Sequence, residues 1–286
     1  MDIFVFNNDI LQRLDCYQRF GEMSEGIISV ASRKGAKKVA VCANSGRERN
    51  EWKGINSLEA LHRTVADLEN EQRGRLLMSA EADIMPGNGI GHATPIYLKK
   101  LAAEIVLQSI SCDFSGKPYE GEKLENVKIY LTNVNASCKI MSSGTTSPER
   151  IINAGGLNLL DMEKFADREL VMHILDHDVG PRAHKEDISL ICYPNCWTEE
   201  GPGTPFTRLV IEGQVGKETW YWPIDINRSS DDNGGNGVER NCQYIYDINI
   251  RRKGSSDPDI PAKAEDLDIK FEIREWDRKQ EYDVQF

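Results

Sequence analysis

Apolar and polar residues alternate along much of this chain with a period of two, the pattern of a strand that buries one face and wets the other. On that signal strands are expected at Ile3 to Phe6, Gly26 to Val30, Val39 to Ala43, Leu98 to Cys112, Val127 to Val134, Ser189 to Tyr193, Arg208 to Gly213, Glu218 to Ile226, Tyr244 to Arg251 and Leu267 to Glu275. The last is the cleanest, with Leu267, Ile269, Phe271 and Ile273 separated by Asp268, Lys270, Glu272 and Arg274. A helix is expected where Leu58, Leu61, Val65 and Leu68 recur at helical spacing, capped by Asn56 with Glu59 three residues on and stopped by Gly74. A weaker helical pattern runs from Asp161 to His173, with Met162, Phe165, Ala166 and Leu170 on one face. The expected fold class is therefore mainly β, with one or two short helices.

Turn-forming residues punctuate these elements at 83–94, 198–205 and 229–237, all expected as exposed loops. The first has the composition of a linker. With 286 residues, enough for two domains, the pattern predicts an N-terminal β domain over 1–95 and a C-terminal one over 96–286. No repeat of 20 to 50 residues occurs, which excludes solenoids and propellers.

Charge narrows the partners. A formal net charge of -11 is the wrong sign for a surface that displaces counterions from phosphates, so nucleic acid is not an expected partner. No run reaches the ~18 consecutive apolar residues that a membrane-spanning helix needs. The chain opens directly on the apolar run Ile3 to Phe6, without a basic or apolar leader, so a targeting segment and upstream sequence are expected to have been removed. The seven cysteines are scattered and odd in number, unlike a disulfide framework. Most lie in strand-like runs, where cysteine packs as a small hydrophobe.

Candidate chemistry is sparse. His173 and His177 stand four apart, as on one helix face, with Asp178 and His184 nearby, but Ile174 occupies the place where the zinc-peptidase pattern has its glutamate. Cys192 and Cys196 enclose three residues, and no second pair follows at zinc-ribbon spacing. Gly87, Gly89 and Gly91 lack the spacing and the following helix of a dinucleotide turn. Asn135-Ala-Ser137 matches the glycan-acceptor triplet. No nucleophile elbow or phosphate loop is present. These readings predict no catalytic residue, no cofactor and no metal.

Two stretches resemble fimbrillins, the subunits of Bacteroidetes type V pili. The first is Ile3 to Ile10, Leu14 to Tyr17 and Val39 to Asn44, similar to the opening of fimbrillin N-terminal domains. The second is Tyr193-Pro-Asn195, Thr207 to Ile211, Tyr221-Trp-Pro-Ile224, Val238 to Asn241, Tyr244 to Ile250, Gly254 to Asp259 and Trp276, similar in order to the C-terminal domain. The resemblance implies two tandem transthyretin-like β-sandwiches, the first lacking its initial strand. It also implies a secreted lipoprotein of the cell outer membrane or fimbrium. Such subunits lose an N-terminal strand to a protease and accept a strand from the next subunit, so other pilus subunits, in a homo- or hetero-polymer, are the implied partners. Host or bacterial surface receptors or glycans are further expected partners.

Strand acceptance has a physical basis, since an unpaired edge offers main-chain hydrogen bonds for affinity and side-chain pockets for register. At the C-terminal end Tyr282, Val284 and Phe286 alternate with polar residues and form the candidate donor strand, the other reading being a final strand of the chain's own sheet. The alternative function is a surface adhesin or glycan-binding β-sandwich lipoprotein that does not polymerise, with Trp52 and Trp197 as contact residues. The lipid-attachment cysteine and the upstream strand of the family are not in this sequence.

Overall fold

In the computed structural model the protein is mainly β and forms two compact units, one of Met1–Leu101, Cys138–Ser143 and Trp276–Phe286, the other of Ala102–Ser137 and Gly144–Glu275. The structure describes residues 1–21, 27–85, 93–142, 149–228, 237–263, 265–276 and 281–285. Residues 96–101 and the C-terminal strand thus group with the first unit, which the chain enters three times.

The first unit contains β1 (Asp2–Asn7), β2 (Leu14–Arg19), β3 (Ile27–Ser29), β4 (Lys37–Ala43), α1 (Leu58–His62), β5 (Val65–Asp67), β6 (Met78–Ile84), β7 (Ala93–Tyr97) and β8 (Lys99–Lys100). Five strands form a sheet in the order β2-β1-β4-β6-β8. β1 reads as an unbroken apolar run because both its faces are covered. Ile3 and Val5 join a core with Val39 and Val41 of β4, Ile84 of β6, Ile28, Val30 and Ile96. Phe4, on the opposite face, packs edge-on against Trp52 with ring centroids 5.1 Å apart and against Tyr17 at 5.0 Å. Trp52, expected as an exposed contact residue, is instead 3% exposed.

The helix is shorter than its apolar spacing predicts. Ser57, not Asn56, caps it by accepting a hydrogen bond from the Ala60 N–H at 3.3 Å. It ends at His62, after which β-branched Thr64 and Val65 lead into β5. Leu58, Leu61 and Leu68 are all buried, so the burial that the pattern encoded is met, but Leu68 comes from a separate 3-10 turn.

The second unit follows with β9 (Ala103–Cys112), β10 (Glu125–Thr132), β11 (Val134–Lys139), β12 (Arg150–Ile152), β13 (Met172–Ile174), β14 (His184–Cys192), β15 (Arg208–Val215), β16 (Glu218–Asp225), β17 (Cys242–Ile250) and β18 (Leu267–Glu275). The last residues of β11 belong to the first unit. The expected strand from Leu98 to Cys112 is divided between β8 and β9 by Leu101 and Ala102, both fully buried. The weaker helix from Asp161 to His173 is not formed. Two 3-10 turns, Leu159–Met162 and Arg168–Leu170, each capped by an Asn or Asp side chain, lead into β13, so His173 lies on a strand.

Two four-stranded sheets result, ordered β13-β10-β15-β16 and β14-β9-β17-β18. β15 and β16 form a hairpin, in register from Arg208 opposite Asp225 to Val215 opposite Glu218, and Gly216 takes φ +68 in its tight turn. β18 departs from its pattern. As an edge strand paired only with β17, it leaves Ile269, Phe271 and Ile273 at 40%, 41% and 47% exposure, and only Leu267 is buried.

The residues that carry the C-terminal resemblance hold this unit together. Arg208 is 2% exposed at its side chain and lies 2.7 Å from Asp225 Oδ1, 2.6 Å from Asp259 Oδ1 and 2.7 Å from Glu200 Oε2. Asn133 donates to the same Asp259 oxygen at 3.0 Å. The run Gly254 to Asp259 passes beside β16, where the Ser255 N–H donates to the Tyr221 carbonyl at 2.8 Å and the Ser255 carbonyl accepts from the Tyr221 N–H at 2.9 Å. A side chain at Gly254 would place its Cβ 2.1 Å from the Tyr221 oxygen and 2.9 Å from Trp222 Nε1, so only glycine fits.

These contacts generate a prediction. Arg208→Met leaves half-buried Asp225 without its cation and is expected to lower unfolding stability by about 3 kcal/mol, the usual loss when one partner of a buried pair is removed. Denaturant titration of the full chain, compared with Lys270→Met on an exposed strand, measures it.

Candidate strand-acceptor groove

Facing the five-stranded sheet of the first unit is a sheet of three strands in which β19 (Glu281–Gln285) runs between β3 and β7. β19 is parallel to β3, with Val284 opposite Ile28, and antiparallel to β7, with Tyr282 opposite Ile96 and Val284 opposite Thr94. Among the described residues β3 and β7 make no ladder with each other, and β19 is the only strand either one pairs with. The centre of this sheet is therefore supplied from the far end of the sequence.

Packing holds the two flanking strands in place. Ile28 is 1% exposed and Ile96 is 2% exposed, and both belong to the core shared with Ile3, Val5, Val39, Val41 and Ile84. Beyond β3, Val30 adds to that core, and the Arg33 N–H donates to Asp15 Oδ2 at 2.9 Å. Asp15 of β2 also pairs with Lys37 of β4 at 2.9 Å, both side chains being 2% exposed, and Lys37 Nζ donates to Asn7 Oδ1 of β1 at 2.7 Å. This buried ion pair bridges three adjacent strands and fastens the segment after β3 to them.

Of the three candidate donor residues, Tyr282 and Val284 stand on β19 at alternate register positions, and Phe286 lies outside the described residues. The flanking strands were only partly legible. β3 was expected from its apolar run, whereas β7 begins in the segment expected as a linker and carries Pro95, a residue that argues against a central strand. The signal that could have found β7 is the spacing of Thr94, Ile96 and Leu98, every second residue on one face.

The remaining candidates are placed as follows. His173 is on β13, while His177 comes after it in a turn, so the two do not share a helix face. His177 instead approaches His184, with ring centroids 4.8 Å apart. Cys192 is fully buried, which pushes its thiol pKa up, and Cys196 Sγ contacts the Val238 carbonyl at 3.1 Å. Cys42, Cys112 and Cys138 are buried as well, and burial raises the Cys112 thiol to about 12. Asn135, of the glycan-acceptor triplet, is 2% exposed and donates to the Pro194 carbonyl at 2.9 Å. Trp197 is half-buried. Gly87, Gly89 and Gly91 lie outside the described residues.

No protein-family model and no curated protein matches the sequence. Solved structures do. A fimbrilin of Porphyromonas gingivalis W83 aligns over 96% of this chain and 90% of its own, with a TM-score of 0.67 and 14% identity. The chain has the fimbrilin fold. The same fold is seen in a candidate cell adhesion protein of Bacteroides eggerthii, with a TM-score of 0.71, 15% identity and coverage of 99% of this chain and 90% of that one. It is seen again in the tip fimbrial protein Mfa3 of Porphyromonas gingivalis, at a TM-score of 0.52 and 12% identity over 96% and 93%. These proteins are described by fimbrial and adhesive roles, not by enzymatic ones.

The ion pair of the fimbrilin-like first unit generates a pH prediction. Burial works to raise the Asp15 pKa, but the Arg33 N–H and the Lys37 ammonium outweigh it and hold the carboxyl below its ordinary value of 3.8. A carboxyl depressed on folding contributes stability above its unfolded pKa, and that contribution is lost as pH falls through the folded value. Asp15→Asn is expected to lower the melting temperature at pH 7, where it strands Lys37, and to flatten the acid dependence of melting below about pH 4. Thermal melts of both chains from pH 2 to 7 measure it.

Proposed function

We propose that this protein is a structural or adhesive subunit of a cell-surface fimbria, and that subunits join by donor-strand exchange at the site now filled by β19. The observation that carries this reading is the position of β19, a strand from the chain's last residues that completes a sheet between β3 and β7. Main-chain groups on both sides of such a slot need a partner, and any strand with the right alternation satisfies them. A strand from a second copy would make the same ladder as the chain's own. The fimbrilin fold supports the same reading.

In this reading the subunit is exported to the cell surface, held at the outer membrane as a lipoprotein until a protease removes an N-terminal strand, and polymerises when β19 leaves its own slot and enters that of the next copy. Its partners are other pilus subunits, through Tyr282, Val284 and Phe286 as donor positions. The alternative of a free-standing glycan-binding adhesin loses one of its two contact residues, because Trp52 lies beneath Phe4.

The test uses the full chain with Tyr282, Val284 and Phe286 replaced by serine, so that its own last strand is a poor occupant. A synthetic peptide copying Glu275 to Phe286 is expected to form a complex stable on a native gel and to raise the melting temperature by several degrees. The same peptide with the three serines is expected to do neither. A folded variant that ignores the native peptide would overturn the reading.

A further inference from the structure

The connection from β13 to β14 crosses between the edges of the two sheets of the second unit, since β13 ends one sheet and β14 begins the other. Its backbone is pinned on both sides of His177. The Leu175 N–H donates to the Val127 carbonyl at 2.9 Å, and Val179 exchanges a pair of hydrogen bonds with Leu124, each 2.9 Å. The Gly180 carbonyl then accepts from the Cys112 N–H at 2.8 Å. His177 is therefore held on a fixed segment.

His184 and Glu186 are two residues apart at the start of β14, where strand period puts them on one face. That strand is irregular just here. The pairing to β9 shifts between Lys185 and Ile188, and Asp187 takes φ +48. A bulge of this kind re-aims side chains at a sheet edge. The outcome is that His177, His184 and Glu186 each offer a donor atom, and these atoms all lie within 4.8 Å of one another.

The three groups are not hydrogen-bonded away from that point. His177 Nε2 is buried without a hydrogen-bond partner, standing 3.1 Å from Glu186 Oε1 but not aligned with it. On the other side of the ring, Nδ1 lies 3.0 Å from Asp176 Oδ1. A carboxylate on one imidazole nitrogen fixes the tautomer and turns the other nitrogen's lone pair outward, the arrangement found behind metal-bound histidines. Two imidazoles and a carboxylate are the ligand types of zinc-class dications, and hard cations such as magnesium and calcium prefer all-oxygen sites.

We propose that His177, His184 and Glu186 form a binding site for a zinc-class divalent cation, with Asp176 as the positioning residue behind His177 and a water completing the coordination. Donor atoms about 2.1 Å from a tetrahedral zinc lie about 3.4 Å from each other. His177 Nε2 and Glu186 Oε1, 3.1 Å apart, already stand near that separation, and no other pair has to draw in by more than about 1.4 Å from the 4.8 Å limit. The sequence pairing of His177 with His173 missed this site, because it assumed a helix where the chain forms a strand and a turn. Bound metal would stitch the crossover to the β14 edge and stabilise the second unit by linkage.

The test is titration of the chelator-treated full chain with zinc by calorimetry, and with cobalt by visible absorption. One zinc per chain is expected, with a cobalt spectrum of four or five coordination and a melting temperature that rises with zinc but not with magnesium. His184→Asn and the isosteric Glu186→Gln are expected to weaken binding at least 10-fold while melting like the parent chain without metal. Asp176→Asn is expected to weaken it about 10-fold without changing the cobalt coordination number. Zinc binding that is absent, or that persists unchanged in His184→Asn and Glu186→Gln, would overturn the proposal.

Discussion

The main-chain N–H and C=O groups of β3 and β7 look at each other across the width of one strand, and the first unit depends on something filling that width. Two ladder spacings amount to about 9.5 Å, too far for a direct hydrogen bond and right for one extended segment. In this chain the segment is β19, parallel to one neighbour and antiparallel to the other. The core beneath cannot close the gap by collapse. Ile28 and Ile96 are already packed against Ile3, Val5, Val39 and Val41, and drawing the strands together would pull them out of that packing. The slot is thus fixed from below by the core, and from the side by Arg33 on Asp15, while its occupant arrives from elsewhere in the sequence.

The second unit solves a different problem. Its two four-stranded sheets take no strand from the last residues of the sequence, and several of its buried polar side chains are tied to one another. Arg208 gathers Glu200, Asp225 and Asp259 around one buried guanidinium, and Asn195 reaches both the Pro205 carbonyl at 2.9 Å and Thr207 Oγ1 at 3.0 Å. Networks of this kind fix one arrangement of loops because each member needs all the others. What is left outside the network, the β18 edge and the crossover that carries His177, is where the sequence pattern and the structure part company.

Period-two alternation made the mainly β class legible, and β15 and β16 form where two of the expected strands stood, although β15 runs on through Gly213 to Val215. The helical spacing of Leu58, Leu61, Val65 and Leu68 was misleading, because a strand residue and a 3-10 turn can bury the same positions that a helix would. β18 shows the converse limit. Alternation says which residues share a face but not whether anything covers that face, and on an edge strand Ile269, Phe271 and Ile273 remain half exposed. The slot filled by β19 was only half legible. Tyr282 and Val284 announced a strand, but both its neighbours, β3 and β7, are far off in the sequence and β7 carries a proline, and local pattern holds no information on long-range pairing.

In the donor-strand proposal β19 occupies a slot that another copy's strand can fill. The most direct measurement is native mass spectrometry of full chains prepared with light and heavy nitrogen, mixed and incubated under conditions that permit local opening. Strand exchange predicts mixed-isotope multimers that resist dissociation and disappear when Val284 is replaced by aspartate. Chains that stay monomeric through prolonged incubation, with no mixed species at any concentration, would contradict it.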